Sequence, residues 1–173
     1  MKIIIINGVP KSGKDEFVSI CKSENLPYVL NISTVDFVKE IASACGWDGT
    51  KDEHNRKFLS DLKKLLTEWN EVPIKKIEEK IIEFKEKIKK NNLDLDKIII
   101  FIHCREPKEI DKLVEKFNAQ TLLIRRHSAE LENHSNDSDL NVFNYNYNYV
   151  IYNNGTLEDL RDSAKEFLNL ILK

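Results

Sequence analysis

The sequence predicts an α/β domain of three layers, α/β/α, in which helices cover both faces of a mainly parallel, five-stranded sheet. Two observations carry this prediction. Short apolar runs rich in β-branched residues alternate along the chain with segments that have a helical period. The run 98–102 is apolar at every position, which is typical of a parallel strand covered on both faces. We therefore expect the ligand site at the carboxyl ends of the strands.

Length and composition limit the functional classes. The 173 residues can form one domain with a sizeable core, and we assign 1–173 to a single domain. A net charge of −2 gives no bulk attraction for nucleic acid or membranes, so we expect neither as a partner. The thiols Cys21, Cys45 and Cys104 are far apart and predict a reduced, cytoplasmic protein. Monomer and homodimer both remain open.

The first predicted strand, 3–6, leads into a glycine-containing loop and then a helix with apolar positions Phe17, Val18 and Cys21. The loop reads Gly8-Val9-Pro10-Lys11-Ser12-Gly13-Lys14-Asp15. Strand, loop and helix in this order are the setting of a phosphate-binding P-loop. Glycines let the backbone wrap tightly, so that N–H groups and the positive end of the helix point at one phosphate chain. Lys14 then lies among the β- and γ-phosphates.

The loop differs from the P-loop pattern at its last position, where Asp15 replaces a hydroxyl residue that usually contacts Mg²⁺. A carboxylate is a hard, charged oxygen ligand and can bind the ion directly or through water. We therefore predict Asp15 as the metal ligand, with the anion cradle unchanged.

The middle of the chain predicts a second strand at 27–32 and three helices. Ser33 and Asp36 form a capping box that opens the first of these helices, and Gly46 ends it. The second has an apolar face of Phe58, Leu59, Leu62, Leu65, Leu66 and Trp69. The third begins at Pro73 and carries the stripe Ile74, Ile77, Ile81, Phe84 and Ile88. We expect this stripe to pack on the domain's own sheet; a helical interaction protein built around it is the alternative.

The last third of the chain supplies the remaining strands. Strand 97–103 delivers His103, Cys104 and Arg105 to the ligand edge, and strand 121–124 leads into Arg125 and Arg126. The polar segment 127–141 has no period and predicts a mobile loop. A strand at 149–152 and a turn at 153–155 precede a final helix, capped by Thr156 and Asp159. That helix is expected to bury Leu157, Leu160, Ala164, Phe167, Leu168 and Ile171.

These motifs together resemble the nucleoside monophosphate kinase group of P-loop proteins. The Gly-Lys-Asp ending of the loop is similar to phage-type deoxynucleoside monophosphate kinases and animal-type phosphomevalonate kinases. The run 149–157 resembles the end of dephospho-coenzyme A kinases. The resemblance implies a P-loop kinase that uses ATP and Mg²⁺ to phosphorylate a nucleoside or deoxynucleoside monophosphate. A kinase of a non-nucleotide acceptor or of dephospho-coenzyme A, and a nucleotide-binding protein without transfer activity, remain alternatives.

The resemblance also implies residue roles. Residues 8–15 would hold the ATP phosphates and Mg²⁺, with Asn154 and Gly155 beside the adenine. Arg125 or Arg126 would reach the transferring phosphoryl group from the base of a lid at about 127–141. An insertion at about 32–72 would bind the acceptor. The residues expected around the acceptor's phosphate are Ser33, Asp36, Lys39, Arg56 and Arg105.

One position departs from this family pattern. Related kinases often present Asp-x-Arg where this chain has His103-Cys104-Arg105. An imidazole cannot replace an acidic residue that contacts the ligands of the metal. We therefore expect either that Asp15 takes more of that role or that the transfer chemistry is weakened.

Overall fold

A computed structural model of the chain describes residues 1–24, 28–50, 52–131 and 141–172. The strands are β1 (Lys2–Asn7), β2 (Tyr28–Ser33), β3 (Ile98–His103), β4 (Gln120–Arg125) and β5 (Tyr149–Tyr152). The helices are α1 (Lys14–Ser23), α2 (Asp36–Ala44), α3 (Glu53–Asn70), α4 (Val72–Lys90), α5 (Pro107–Phe117), α6 (His127–Glu130) and α7 (Leu157–Ile171). Single 3₁₀ turns lie at Leu95–Lys97 and Asn141–Asn144.

The strands form one five-stranded parallel sheet in the order β2-β3-β1-β4-β5, flanked by helices. In the central strand β1, Ile5 pairs with Ile102 of β3 on one side and with Thr121 of β4 on the other. The prediction of an α/β fold with a parallel, five-stranded sheet is therefore confirmed. Because the strands are parallel, β1, β3, β4 and β5 all end at the same edge of the sheet.

The core lies on both sides of β1 and β3, whose apolar residues are buried. Phe17 of α1 meets Phe101 of β3 and Phe167 of α7 edge to face, with ring centroids 6.4 Å and 5.7 Å apart. Each such buried side chain contributes about 1.5–3 kcal/mol. The loop between β1 and α1 is thus anchored at both ends in the core.

The chain divides into two compact units. One comprises Met1–Asn31 and Leu93–Lys173, and the other is Ile32–Asn92. The second unit contains α2, α3 and α4, which contact one another. The predicted acceptor-binding insertion of about 32–72 falls within this unit, which continues to Asn92.

The packing of α3 differs from the prediction. Trp69 is 76% exposed and Leu65 is also exposed, while Lys63 is only 7% exposed. Four residues of the predicted face are half-buried: Phe58, Leu59, Leu62 and Leu66. Residues advance by about 100° around a helix, so the buried side is shifted toward Lys63 and leaves Leu65 and Trp69 outside it. The expected packing of Trp69 is therefore wrong.

The stripe of α4 is largely buried: Ile74, Ile77, Ile81 and Ile88 are each at most 3% exposed. Within its unit α4 contacts α2 and α3. A helical interaction protein would need this stripe to be open to a partner, so the burial argues against that alternative.

The capping predictions had different outcomes. At α7 the box is complete, since the Asp159 N–H donates to Thr156 Oγ1 at 3.3 Å and the Thr156 N–H donates to Asp159 Oδ2 at 2.7 Å. At α2 only half of the predicted capping box forms, because β2 extends through Ser33 and Val35 takes the cap position. The Ser33 N–H still donates to Asp36 Oδ2 at 2.8 Å.

Two smaller expectations also need correction. Leu157 is exposed, because side chains point toward the start of a helix and the first residue reaches beyond the packed turns. The predicted loop at 127–141 begins instead with the helical turn α6, and its residues 132–140 lie outside the described residues. No described helix combines the length and the apolar character needed to cross a membrane.

Candidate active site

The loop between β1 and α1 has the backbone shape that its glycines predict. Gly8, Lys11 and Gly13 have positive φ angles of 155°, 63° and 93°. A Cβ atom at Gly8 would lie 2.5 Å from Ser12 Oγ and 2.6 Å from the carbonyl oxygen of Ile124. Only glycine fits there, so the tight wrap of this loop depends on Gly8.

The loop and the start of α1 present groups that suit an anion. No side chain caps α1 at Gly13 within the described residues, so its first-turn N–H groups face outward at the positive end of the helix. Ser12 is fully buried, and its Oγ has no hydrogen-bond partner among the described residues. Leaving such a group unpaired costs about 1–3 kcal/mol. A phosphate chain at this loop would offer acceptors to these donors, so the residues present fit the phosphates of ATP.

Asn7 supports the loop from below, a role that the sequence analysis missed. Its Oδ1 accepts a 2.8 Å hydrogen bond from the N–H of Gly8, and its Nδ2 donates to the Tyr147 hydroxyl at 2.7 Å. Tyr147 in turn donates to the carbonyl of Val142 at 2.8 Å. Burial raises the pKa of Tyr147, so its hydroxyl keeps its proton at neutral pH. The Gly8 N–H is therefore bound within the protein and is not directed at a phosphate.

Asn153 supports the loop from the side. This residue is 7% exposed, and its Nδ2 donates to the Ser12 carbonyl at 2.9 Å. Its backbone N–H donates to the Arg125 carbonyl at 2.7 Å. The family resemblance implied a role only for the neighbours Asn154 and Gly155. Residue type alone does not distinguish Asn153 from Asn154. The signal that could have found it is its position directly after a strand that ends at the loop.

Asn154 and Gly155 are both exposed and lie in the turn before α7. The Asn154 side chain accepts a hydrogen bond from the N–H of His127 at 2.8 Å, which joins this turn to the start of α6. The structure thus places Asn154 beside the start of α6, which follows β4.

Arg125 is engaged within the protein. Its Nε and Nη2 donate to the two carboxylate oxygens of Glu130 at 2.9 Å and 2.7 Å. The guanidinium lies 4.9 Å from the ring centre of Phe143 and 5.6 Å from that of Tyr152. The hydrogen bonds raise the pKa of Arg125 and lower the pKa of Glu130. In the sequence, a salt bridge from one of the two arginines to Asp137 or Asp139 is the structural alternative to a catalytic role, and both aspartates lie outside the described residues.

Arg126 and Arg105 occupy different surroundings. Arg126 follows β4 and is exposed, with its carbonyl accepting the N–H groups of Ala129 and Glu130 at 3.0 Å. Arg105 follows β3 and is half-buried, and its carbonyl accepts a 3.4 Å hydrogen bond from Asn7 Nδ2. Both backbones therefore lie at the ligand edge, as predicted.

His103 and Asp15 come close together beside the loop. His103 Nδ1 lies 3.6 Å from Asp15 Oδ1, and His103 Nε2 is 2.8 Å from Asn31 Oδ1. The Asp15 side chain is 83% exposed, whereas that of His103 is 15% exposed. A carboxylate oxygen and an imidazole nitrogen, both able to bind a divalent cation, thus meet at the start of α1.

A second group of metal-ligating atoms follows β3. One ligating atom from each of Cys104, Glu106 and Glu109 lies within 4.8 Å of the other two. The buried Cys104 thiol donates to Glu109 Oε2 at 3.5 Å. This internal hydrogen bond accounts for the closeness of the thiol and the carboxylate without an ion.

The residues predicted around the acceptor's phosphate are distributed over both units. Ser33, Asp36, Lys39 and Arg56 belong to the second unit, where Arg56 is exposed on α3 and Lys39 half-buried on α2. Asp36 Oδ2 also lies 3.8 Å from Lys80 Nζ. Arg105 belongs to the first unit. The acceptor roles of these residues stay predictions.

Comparisons with known proteins identify the fold. No family model matches the chain, and no curated protein matches it significantly. Among solved structures, TT1252 from Thermus thermophilus is 17% identical and aligns over 98% of this chain and 97% of its own, with a TM-score of 0.53. Dephospho-CoA kinase from Campylobacter jejuni is 16% identical, with coverages of 98% and 97% and a TM-score of 0.50. Likeness at such identity shows that this chain shares the fold of these two proteins, and no more.

Proposed function

We propose that this chain is an ATP-dependent small-molecule kinase, and that its acceptor is a nucleoside or deoxynucleoside monophosphate. The observation that carries the proposal is the loop 8–15. Its positive φ angles, the uncapped start of α1, the unpaired Ser12 hydroxyl and Lys14 at the first helical position all support the binding of a phosphate chain.

Phosphoryl transfer requires alignment, charge neutralisation and exclusion of water more than covalent catalysis. The main-chain N–H groups of the first turn of α1 and the Lys14 ammonium bind the β- and γ-phosphates. Mg²⁺, when bound, neutralises negative charge on the phosphates, and Asp15 holds it. Arg126 is exposed and reaches the transferring phosphoryl group, while Arg125, held by Glu130, keeps the end of β4 in place.

The remaining roles follow from the same proposal. Asn154 and Gly155 lie beside the adenine and contact it through backbone groups. Arg105 neutralises charge beside the phosphates from the end of β3. The second unit binds the acceptor's phosphate through the cations Lys39 and Arg56. Ser33 also contacts this phosphate, and Asp36 orients Ser33 by accepting a hydrogen bond from its N–H.

A second candidate is phosphorylation of dephospho-coenzyme A. The fold that the chain shares with the Campylobacter jejuni dephospho-CoA kinase favours it, since that neighbour matches over almost the full length of both chains. A third candidate is a nucleotide-binding protein without transfer activity. His103 favours this reading, because it brings no acidic group to the end of β3.

An acceptor panel tests the proposal. The protein is incubated with Mg-ATP and, in turn, each ribo- and deoxyribonucleoside monophosphate, phosphomevalonate and dephospho-coenzyme A. ADP release is measured, and the product is identified by mass. We expect a nucleoside diphosphate product with at least one monophosphate. Phosphorylation of dephospho-coenzyme A alone would establish the second candidate, and nucleotide binding with no product from any acceptor would establish the third.

A further inference from the structure

We infer that His103 and Asp15 are two ligands of one divalent-cation site beside the P-loop, and that the imidazole makes this site prefer a transition-metal ion such as Mn²⁺ to Mg²⁺. The inference rests on the proposed function, because the phosphates of a bound nucleotide supply further ligands. The residues involved come from β2, β3 and α1 of the same compact unit.

The first step concerns the imidazole of His103. Its Nε2 lies 2.8 Å from Asn31 Oδ1, and an amide oxygen can only accept a hydrogen bond. Nε2 therefore donates, and in the neutral ring the lone pair belongs to Nδ1. A metal-ligating histidine is oriented in this way when its other ring nitrogen donates to an oxygen of the protein.

The second step concerns the space between the two ligating atoms. Nδ1 of His103 lies 3.6 Å from Asp15 Oδ1. When the ring is neutral and Nε2 donates to Asn31, the Nδ1 lone pair faces this carboxylate oxygen. A proton on Nδ1 would turn the contact into an ion pair, and a metal ion shared by the two atoms would stabilise the neutral ring in the same place. With metal–ligand bonds of about 2.1 Å, atoms 3.6 Å apart subtend about 120° at a shared ion. A small rotation of the exposed Asp15 side chain brings this angle to the 90–110° that is about the range of octahedral and tetrahedral sites.

The third step concerns the choice of metal. Mg²⁺ takes oxygen ligands and dehydrates reluctantly, whereas imidazole nitrogen binds first-row transition metals. Mn²⁺ is the weakest binder of that series and also accepts carboxylate and phosphate oxygens, so it is a stringent probe of a mixed site. His103 is mostly buried and held by Asn31, and the ring is therefore already oriented for the ion.

Pulsed electron paramagnetic resonance tests the inference directly. The wild-type protein is loaded with Mn²⁺ and ADP, and the modulation from a directly bound ¹⁴N nucleus is recorded. His103→Ala is compared with His54→Ala, which removes an exposed histidine of α3. We expect the ¹⁴N signal of a bound imidazole in the wild type and in His54→Ala, and its loss in His103→Ala.

Affinity measurements provide the second readout. We expect His103→Ala to weaken Mn²⁺·ADP binding about tenfold and Mg²⁺·ADP binding less than about twofold. Asn31→Ala leaves the imidazole in place but unoriented, and we expect it to weaken Mn²⁺·ADP binding by about tenfold. His103→Asp, which gives the site oxygen ligands only, is expected to lose the ¹⁴N signal and to shift the preference toward Mg²⁺.

The outcomes separate this inference from the proposed function. If Mn²⁺·ADP binds to the wild type without ¹⁴N modulation, the inference is overturned, the His103–Asp15 contact is an ion pair, and the kinase proposal stands. If ADP with either metal fails to bind, both the kinase proposal and the inference are overturned. The wild-type spectrum alone can overturn the inference, so the test does not depend on whether each variant folds.

Discussion

At the scale of single residues, the P-loop owes its shape to amide side chains as much as to its glycines. Asn7 binds the N–H of Gly8, and Asn153 binds the carbonyl of Ser12. Both amide side chains are buried, so water cannot replace either of them as the hydrogen-bond partner of the loop. The residues that hold the loop are therefore distinct from those proposed to bind a phosphate.

Replacing Asn153 tests this division. Asn153→Ala removes the 2.9 Å hydrogen bond to Ser12, and we expect it to lower the free energy of unfolding by about 1–2 kcal/mol. The loosened loop should also bind ADP about tenfold more weakly, which calorimetry measures. Asn154→Ala is the comparison, since the proposal gives Asn154 only backbone contacts with the nucleotide. Equal losses of ADP affinity in the two variants would contradict the special role of Asn153.

The sequence could not identify these two residues, for a physical reason. Asn7 and Asn153 matter because the parallel register brings the ends of β1 and β5 to the same edge of the sheet, on either side of β4. This proximity depends on strand order, and local sequence does not encode strand order. The tight loop between β1 and α1 could be predicted, because its strand, glycines and helix are consecutive in the chain.

At the scale of elements, the outcomes follow the same distinction between local and long-range causes. The strands and the capping box of α7 were predicted, since each depends on residues a few positions apart. The buried side of α3 was predicted only in part, because contact with α2 and α4 shifts it toward Lys63 and leaves Trp69 exposed. The helical turn α6 was also missed, and its Glu130 turns out to hold Arg125 at the end of β4.

The contact between α6 and β4 predicts a pH dependence of stability. The pKa of Glu130 is lowered by the hydrogen bonds from Arg125, so the pair stabilises the folded state above the unfolded-state pKa of about 4.3 and loses this effect as the pH falls through the folded-state value. At about pH 7 we expect Glu130→Gln to lower the free energy of unfolding by about 1 kcal/mol. Below about pH 4 the difference from wild type should shrink toward zero.

Urea denaturation at several pH values measures this difference. Glu115→Gln on α5 is the matched control, because Glu115 is exposed, and its effect should be small at every pH. A Glu130→Gln deficit that stays constant down to low pH would mean that the carboxylate of Glu130 does not stabilise the fold through its charge.

At the scale of the whole molecule, the fold class followed from the alternation of strands and helices, which is a property of the entire sequence. The substrate did not follow, since one fold can carry many functions and the substrate is set by the residues of the site. In this chain the residues proposed to bind the phosphate donor belong to the first compact unit, and most residues predicted for the acceptor belong to the second.

The central claim is that residues 8–15 bind the phosphates of a nucleotide, and calorimetric titration of ADP with Mg²⁺ tests it most directly. Wild-type protein is compared with Lys14→Ala and with Lys22→Ala, which removes an exposed lysine from the other end of α1. We predict that the wild type and Lys22→Ala bind ADP equally and that Lys14→Ala binds at least about tenfold more weakly, because the phosphates lose their nearest cation. Equal binding by all three proteins would contradict the account.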